Sequence, residues 1–454
     1  MSNSDFGNAL LSKYEDVSVL FPGDSTYAEA RQVYNRMHDL YPLMIIRTMN
    51  RSALRELVNF VAFNDIELAI RGGGHHIAGF GSTQGGILLD FSPYKDVVID
   101  EVKGIASISP GARLSDVDLA LCQRGYVIPT GTVSDTGIAG LTLGGGIGWL
   151  LGTLGFTCEN LVGADVLLAT GNIVRAEDPG YEDLLWALRG GGGNFGVVLE
   201  FRYTLSKLPT VYCGTIEVFD SDIKDVFNNL IVYLDKHCPP NLVVAPVLQY
   251  LGDKGGCRLS IDFCLCDSTD LLEIKTFEEY LGSTIKHVFM TNDYVSWQSW
   301  SDERFSQPMR GYWKSVCPEV MGADISRLLL EWGEGMPGSN CNITIEHFNP
   351  SRRQQRPGES AFPLLDKEYG ILFSARWTSL SDDSMYIGWV KEAADSIMHG
   401  RGYSSYSNYT SGEEKNSKLV FVSDEGRLLT TKKKYDPANM FRRNHNIARQ
   451  QDVS

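Results

Sequence analysis

Two adjacent histidines, His75 and His76, follow an arginine and three glycines in the stretch RGGGHHIAGFG (71–81). A neutral imidazole is a competent nucleophile or base, and a glycine loop would present it to whatever the loop binds. His75, directly behind Gly74, is the candidate for such a role, with a core histidine satisfied by packing as the alternative. His76 points elsewhere and is expected to line or support the site. Two further glycine-rich turns follow, GIAGLTLGGGIG (137–148) and RGGGGNFG (189–196). Glycine tolerates positive φ and lets backbone N–H groups approach a ligand closely, so such loops make concavities for phosphate. A phosphate-bearing cofactor is therefore expected. A dinucleotide fingerprint does not account for it. Gly191, Gly193 and Gly196 have the GxGxxG spacing, but strand-like sequence follows where a helix should begin, and no acidic residue closes a strand at the required distance. No GxxxxGK[ST] phosphate loop occurs either.

Loops that hold a ligand need rigid supports. Leu54, Leu57, Val58 and Val61 recur at helical spacing between Ser52 and Phe63, and IELAI (66–70) then reads as a short buried strand leading into the first glycine loop. Strand-like runs at 85–91, 96–100 and 105–110 follow, then an amphipathic helix from Leu114 to Cys122. ADVLLAT (164–170) ends in Gly171-Asn172, a hairpin turn signal, and the third glycine loop runs into another strand. Beyond about residue 205 the glycine loops cease. Runs at 242–250, 258–266, 341–348 and 370–377 alternate with helical stretches, which predicts a second domain on a mostly antiparallel sheet covered by helices. RRQQRPGES (352–360) reads as a surface loop, and Lys432 to Lys434 as the solvated face of a helix over 424–434. The expected division is 1–207, 208–402 and 403–454, in an α+β protein.

Acidic residues outnumber basic ones by 56 to 41, giving a net charge of −15. Such a surface repels phosphate backbones, so nucleic acid is not an expected partner. No apolar run is long enough to span a bilayer, so no membrane partner is expected either. The first residues lack a basic stretch followed by an apolar one, so an intracellular, cytoplasmic protein is expected. The nine cysteines show neither CxxC pairs nor metal-ligand spacing, which predicts free thiols and no metal site.

RGGGHHIAGFG, TGIAGLTLGGGIGWL (136–150), DLLWALRGGGGNFGVV (183–198), YSNY (406–409) and YDPANMFRRNHNI (435–447) together resemble the berberine bridge enzyme-like FAD-linked oxidases of the vanillyl-alcohol oxidase superfamily. The resemblance is continuous from about residue 40 to 205, returns at 403 to 447 and is thin between them. It implies a PCMH-type FAD-binding domain of two α+β subdomains, built from the N-terminal part and the C-terminal tail, with the middle of the chain as a substrate-binding sheet.

The family's R-x-G-G-H pattern falls on Arg71, Gly73, Gly74 and His75, so the resemblance implies that His75 carries FAD covalently at its 8α-methyl, with Gly72, His76 and Gly79 in the same loop around the cofactor. Many relatives carry a second link through a cysteine; Val133 stands at that position here, which implies a single attachment. Gly131, Thr132, Thr136, Gly137 and Gly140 match the loop along the flavin, Val198 a contact on the adenine side, and Asn446 the terminal contact. Tyr409 and Tyr406 match the position of the catalytic base, with Tyr312, Lys314 and Asn408 as substrate contacts. Relatives often have F-P-H-R where this chain has Phe362, Pro363, Leu364 and Leu365. A polar corner has become apolar, which favours a lipophilic ring system over a carbohydrate. The expected activity is an FAD-dependent oxidase that takes hydride from a C–OH, C–N or activated C–H bond of a secondary-metabolite-type substrate, with O2 as acceptor and oxidative cyclisation as an option. A dehydrogenase or sugar oxidase on the same fold is the alternative, and a flavin-binding protein without turnover the third.

Overall fold

The computed structural model describes residues 2–218, 223–252, 256–268, 271–282, 285–348, 359–399, 403–412, 420 and 425–448. Most of the expected surface loop at 352–360 lies outside them.

Three sheets organise the chain. The first contains β1 (Ser18–Leu20), β2 (Met44–Arg47), β3 (Leu68–Arg71) and β4 (Ile87–Asp90) in the order β1-β2-β4-β3, with β4 parallel to both β2 and β3. Their side chains are short apolar runs without alternation, as a sheet covered on both faces requires. The helix Arg51–Asn64 lays its apolar stripe on one face, burying Leu54, Leu57, Val58 and Val61. Its first turn is capped by Asn50, whose side chain accepts from the Ser52 and Ala53 amides.

The next stretch supplies β5 (Val97–Asp100), β6 (Ile105–Ile108), a short β7 (Tyr126–Val127), β8 (Leu161–Leu167), β9 (Ile173–Arg175) and β10 (Val197–Thr204). Five of these form an antiparallel sheet in the order β5-β6-β10-β8-β9, while β7 pairs with β11 (Ser206–Lys207).

The third sheet has seven strands, all antiparallel: β12 (Val211–Val218), β13 (Leu242–Tyr250), β14 (Cys257–Cys266), β15 (Ile285–Thr291), β16 (Arg310–Val316), β17 (Cys341–His347) and β18 (Tyr369–Trp377), in the order β15-β12-β14-β13-β17-β18-β16. Helices Ile223–Lys236, Leu272–Leu281, Ala323–Glu334 and Asp383–Met398 pack on one face and share a core with it. In β17, Cys341, Ile343 and Ile345 face those helices, which sends Asn342, Thr344 and Glu346 to the opposite face.

The chain then returns. Ser404 bridges to Cys317, just beyond the end of β16, and Ser411 exchanges hydrogen bonds with the Trp313 backbone. The helix Glu425–Tyr435 packs into the core of the five-stranded sheet and Phe441 into that of the first. The solvated face expected for Lys432 to Lys434 is corrected at its first residue. Lys432 is buried, donating to Asp436 and to the carbonyls of Asn194 and Phe441, because the tail folds over it. Among the described residues no helix is long and apolar enough to cross a membrane, and all nine cysteines are free.

Candidate active site

The three glycine turns converge on one cavity. It is walled by the loop after β3, the segment 131–147, the turn before β10, the inner face of the seven-stranded sheet and the returning tail. The first two loops touch backbone to backbone. A Cβ on Gly73 would lie 2.5 Å from the Gly137 nitrogen, and one on Gly137 would lie 2.4 Å from the Gly73 nitrogen, so only glycine allows this approach on either side. Arg71 secures the base of the loop. Its guanidinium is buried, donates from Nε to Asp90 Oδ1 at 2.9 Å and binds the carbonyls of Ala30 and Gln32.

His75 lines the cavity and stacks on Tyr34, with ring centroids 4.0 Å apart. Its Nε2 is buried without a hydrogen-bond partner. Burial, helped by the Arg113 and Arg376 guanidiniums, pushes the imidazole down to about 4, so the ring is neutral with a free lone pair. His76 is held instead. Its Nδ1 accepts from the Ala78 amide at 3.1 Å, which leaves Nε2–H to donate to the Ser407 carbonyl at 3.2 Å. His445 Nε2 meets the same carbonyl at 2.9 Å. Two imidazoles from opposite ends of the chain therefore fix the backbone of the YSNY turn.

That turn, a short 3₁₀ segment Ser407–Tyr409, carries both tyrosines. Tyr406 Oη accepts from the Gly146 amide at 2.9 Å and from Asn408 Nδ2 at 3.0 Å; burial raises its phenol all the same, outweighing both donors. Tyr409 donates to Glu346 Oε1 at 2.8 Å. Burial drives the Glu346 carboxyl up to about 7 against the lowering pull of the Tyr409 hydrogen bond, while burial and the neighbouring carboxyl lift the Tyr409 phenol well above its ordinary range. The two groups share one buried hydrogen bond, an arrangement suited to passing a proton between them.

Besides Arg71, Gly73, Gly137, His75, His76 and the YSNY residues Tyr406, Asn408 and Tyr409, the cavity wall includes Gly72, Gly74, Gly131, Thr132, Val133, Thr136, Gly140 and Val198. Four expected contacts lie elsewhere. Tyr312 and Lys314 point to the helical side of β16, Tyr312 into the core and Lys314 to Asp395 at 2.8 Å; strand alternation puts Trp313 on the cavity wall between them. Asn446 is buried behind the wall, accepting from the Ala448 amide, and its neighbours Asn444 and His445 line the cavity in its place. Gly79 forms a turn over His38, where a Cβ would lie 2.4 Å from the imidazole. Phe362 and Leu364 are buried, with Phe362 edge-on to Tyr406 and Phe156.

Glu346, Trp313, Phe305 and Tyr34 escaped the sequence reading. Only the alternation within CNITIEHF (341–348) could have flagged Glu346, as a carboxylate on the inner face. No cluster of metal-ligand type occurs among the described residues.

Residues 42–177 match the family described as FAD binding domain, and residues 405–448 match the berberine and berberine-like family. An FAD-linked oxidoreductase of Dictyostelium discoideum is 28% identical over 421 residues, 89% of this chain and 88% of that one. (R)-6-hydroxynicotine oxidase of Paenarthrobacter nicotinovorans is 25% identical over 457 residues, 94% and 96% of the two chains. The crystal structure of a carbohydrate oxidase from Microdochium nivale superposes with a TM-score of 0.85 at 21% identity, covering 97% of this chain and 99% of that one.

Proposed function

This chain belongs to the berberine bridge enzyme-like FAD-linked oxidoreductases, and we propose that it is an oxidase that takes hydride from a C–OH, C–N or activated C–H bond of a small secondary-metabolite-type substrate and passes the electrons to O2. The observation that carries the reading is the meeting, in one cavity, of a neutral histidine whose Nε2 has no hydrogen-bond partner, a glycine cradle and Tyr409, which is hydrogen-bonded to the buried Glu346 behind it. The residues fit FAD. A side chain at Gly73 or Gly137 would separate the loops that receive it, the amides of those loops suit its pyrophosphate, and His75 has the neutral imidazole that an 8α link requires. With Val133 at the position of the second link, attachment is through His75 alone.

Bound FAD supplies the two-electron acceptor. The protein's own residues do the rest. Tyr409 takes the proton of the substrate hydroxyl or amine as its phenolic proton moves to Glu346 Oε1, so no charged phenolate accumulates in the buried site. His76 and His445 hold the turn that aims Tyr409, and Tyr406 ties that turn to the glycine segment at Gly146. The likeness to an oxidase named for 6-hydroxynicotine supports a lipophilic ring substrate over a sugar, whereas Phe362 and Leu364 are buried beside Tyr406, off the cavity wall, and do not bear on the choice.

The test is the intact mass and visible spectrum of denatured protein, for wild type and His75→Ala. Wild type is expected to stay yellow and heavier by one FAD, and the variant to release its flavin. Flavin that leaves the wild type on denaturation would refute the covalent link, and a colourless protein that takes up no FAD would refute the activity.

A further inference from the structure

Strands β12 and β14 bring three cysteines together away from the candidate active site. Cys213 stands directly opposite Cys264 in the antiparallel register, and Cys266 follows on the same side of β14. All three are buried on the inner face of the seven-stranded sheet, among Trp149, Leu150, Leu151, Tyr294 and Trp297. Cys213 Sγ lies 3.0 Å from Cys264 Sγ. Non-bonded carbon atoms rest about 3.5–4.0 Å apart, and sulfur is larger than carbon, so these two thiols are pressed inside ordinary contact. Cys264 and Cys266 keep a wider 3.8 Å.

The backbone separates the two possible pairings. Directly opposed residues of an antiparallel pair have Cα atoms about 4.5 or 5.5 Å apart, well within the roughly 4.4–6.8 Å that disulfides span. Residues two apart on one strand are separated by about 6.8 Å of rise, at the far edge of that window, and their Cα–Cβ bonds run parallel rather than towards each other. Only the cross-strand pair has the geometry of a bridge.

We propose that Cys213 and Cys264 are a disulfide site, oxidised during folding by a small-molecule disulfide of the glutathione type, with Cys266 left as a free thiol beside them. One cysteine, as its thiolate, attacks the small disulfide, releases half of it as a thiol and carries the other half. The opposing cysteine then displaces that half. Two protein S–H bonds and one S–S bond are exchanged for one protein S–S bond and two small thiols, which leave with both protons. The timing follows from burial. In the folded sheet both sulfurs are covered, and burial, with the Cys213 thiol beside it, holds the Cys264 thiol well above its ordinary range, so the closed pair offers neither access nor a thiolate. The same cover shields the finished bond from reductants. The bond joins positions 51 residues apart and so restricts the unfolded chain. It also braces β12, the strand on which the helix Tyr294–Ser299 rests.

The test is a thiol map of the holoenzyme. Protein held in urea just below its unfolding midpoint is given oxidised glutathione, then moved into guanidinium with excess N-ethylmaleimide and digested without reductant. Of the nine cysteines, Cys213 and Cys264 are expected to escape the label and to appear as one linked peptide pair, which separates into two labelled peptides if the protein is reduced first. Cys213→Ala and Cys264→Ala should each abolish that pair, whereas Cys266→Ala, equally buried and equally able to disturb folding, should keep it. Nine labelled cysteines in the wild type, a link that joins other cysteines, or a link lost in Cys266→Ala as well would overturn the proposal.

Discussion

A phenol that donates to a carboxylate can accept a second proton only if it hands on its own, so the work of Tyr409 depends on the charge state of Glu346. The carboxyl titrates at about 7 and must be ionised to receive the proton. Activity is therefore expected to fall as pH drops through neutrality, with kcat/KM following the protonation of Glu346. Glu346→Gln, which keeps the shape and removes the acceptor, should lower kcat by roughly 10²-fold or more and abolish that acid limb. Tyr406→Phe should cost far less, because Tyr406 accepts hydrogen bonds from Gly146 and Asn408 and touches no carboxylate. A pH profile shared by wild type and Glu346→Gln would rule the relay out. The sequence made His75 and the tyrosines legible through their motifs, whereas Glu346 sits in a strand whose alternation looks the same whether the polar face meets water or a cofactor domain. Tyr312 and Lys314 failed for a related reason: a motif marks the strand, and the pleat decides which residue of it faces the cavity.

At the level of elements, the glycine turns are contacts between loops as much as cradles. Gly73 and Gly137 occupy the space that each other's side chain would need, so the loop after β3 and the segment leading into the helix Ile138–Leu143 form one surface. Gly137→Ala is expected to separate them, losing bound flavin and destabilising the protein by about 1–3 kcal/mol; full flavin content and an unchanged melting temperature would show that the loops can part without consequence. These turns were readable because glycine clusters are rare in strands and helices. Strands away from the turns were readable too, including β13 at 242–250 in the seven-stranded sheet. The tail was read less well. The three consecutive lysines suggest solvent, yet Lys432 is one turn from Asp436, and the pair closes under Asn194 and Phe441. Nothing local in the sequence announces that a distant glycine turn will cover that helix.

At the scale of the whole molecule, the cavity is assembled across the two halves, and the seam is itself titratable. Gln298, on the helix Tyr294–Ser299 beside the seven-stranded sheet, donates to Asp118, Thr130 and the Gly131 carbonyl. Ser301 binds the Thr132 carbonyl at 2.8 Å and Asp302 the Ser134 amide at 3.0 Å. Gly131, Thr132 and Val133 thus line the cavity while the segment 130–134 is held from the substrate side, so the halves should melt together. Asp118 is 3% exposed, and burial raises its carboxyl to about 7 against the lowering hydrogen bonds of Gln298 and Thr130. Between its unfolded value near 4 and this folded value the native state binds the extra proton, so stability falls as pH rises across that window. Asp118→Asn keeps an acceptor for Gln298 without the charge, and should flatten the decline by at most roughly 2.5 kcal/mol between pH 5 and pH 8. Glu346 adds a slope of the same sign, so the informative quantity is the difference between wild-type and Asp118→Asn melting temperatures at each pH. A gap that widens towards pH 8 in favour of the variant supports a buried carboxylate at the seam. Parallel curves would mean that Asp118 is solvated in the folded protein and that the seam carries no pH dependence.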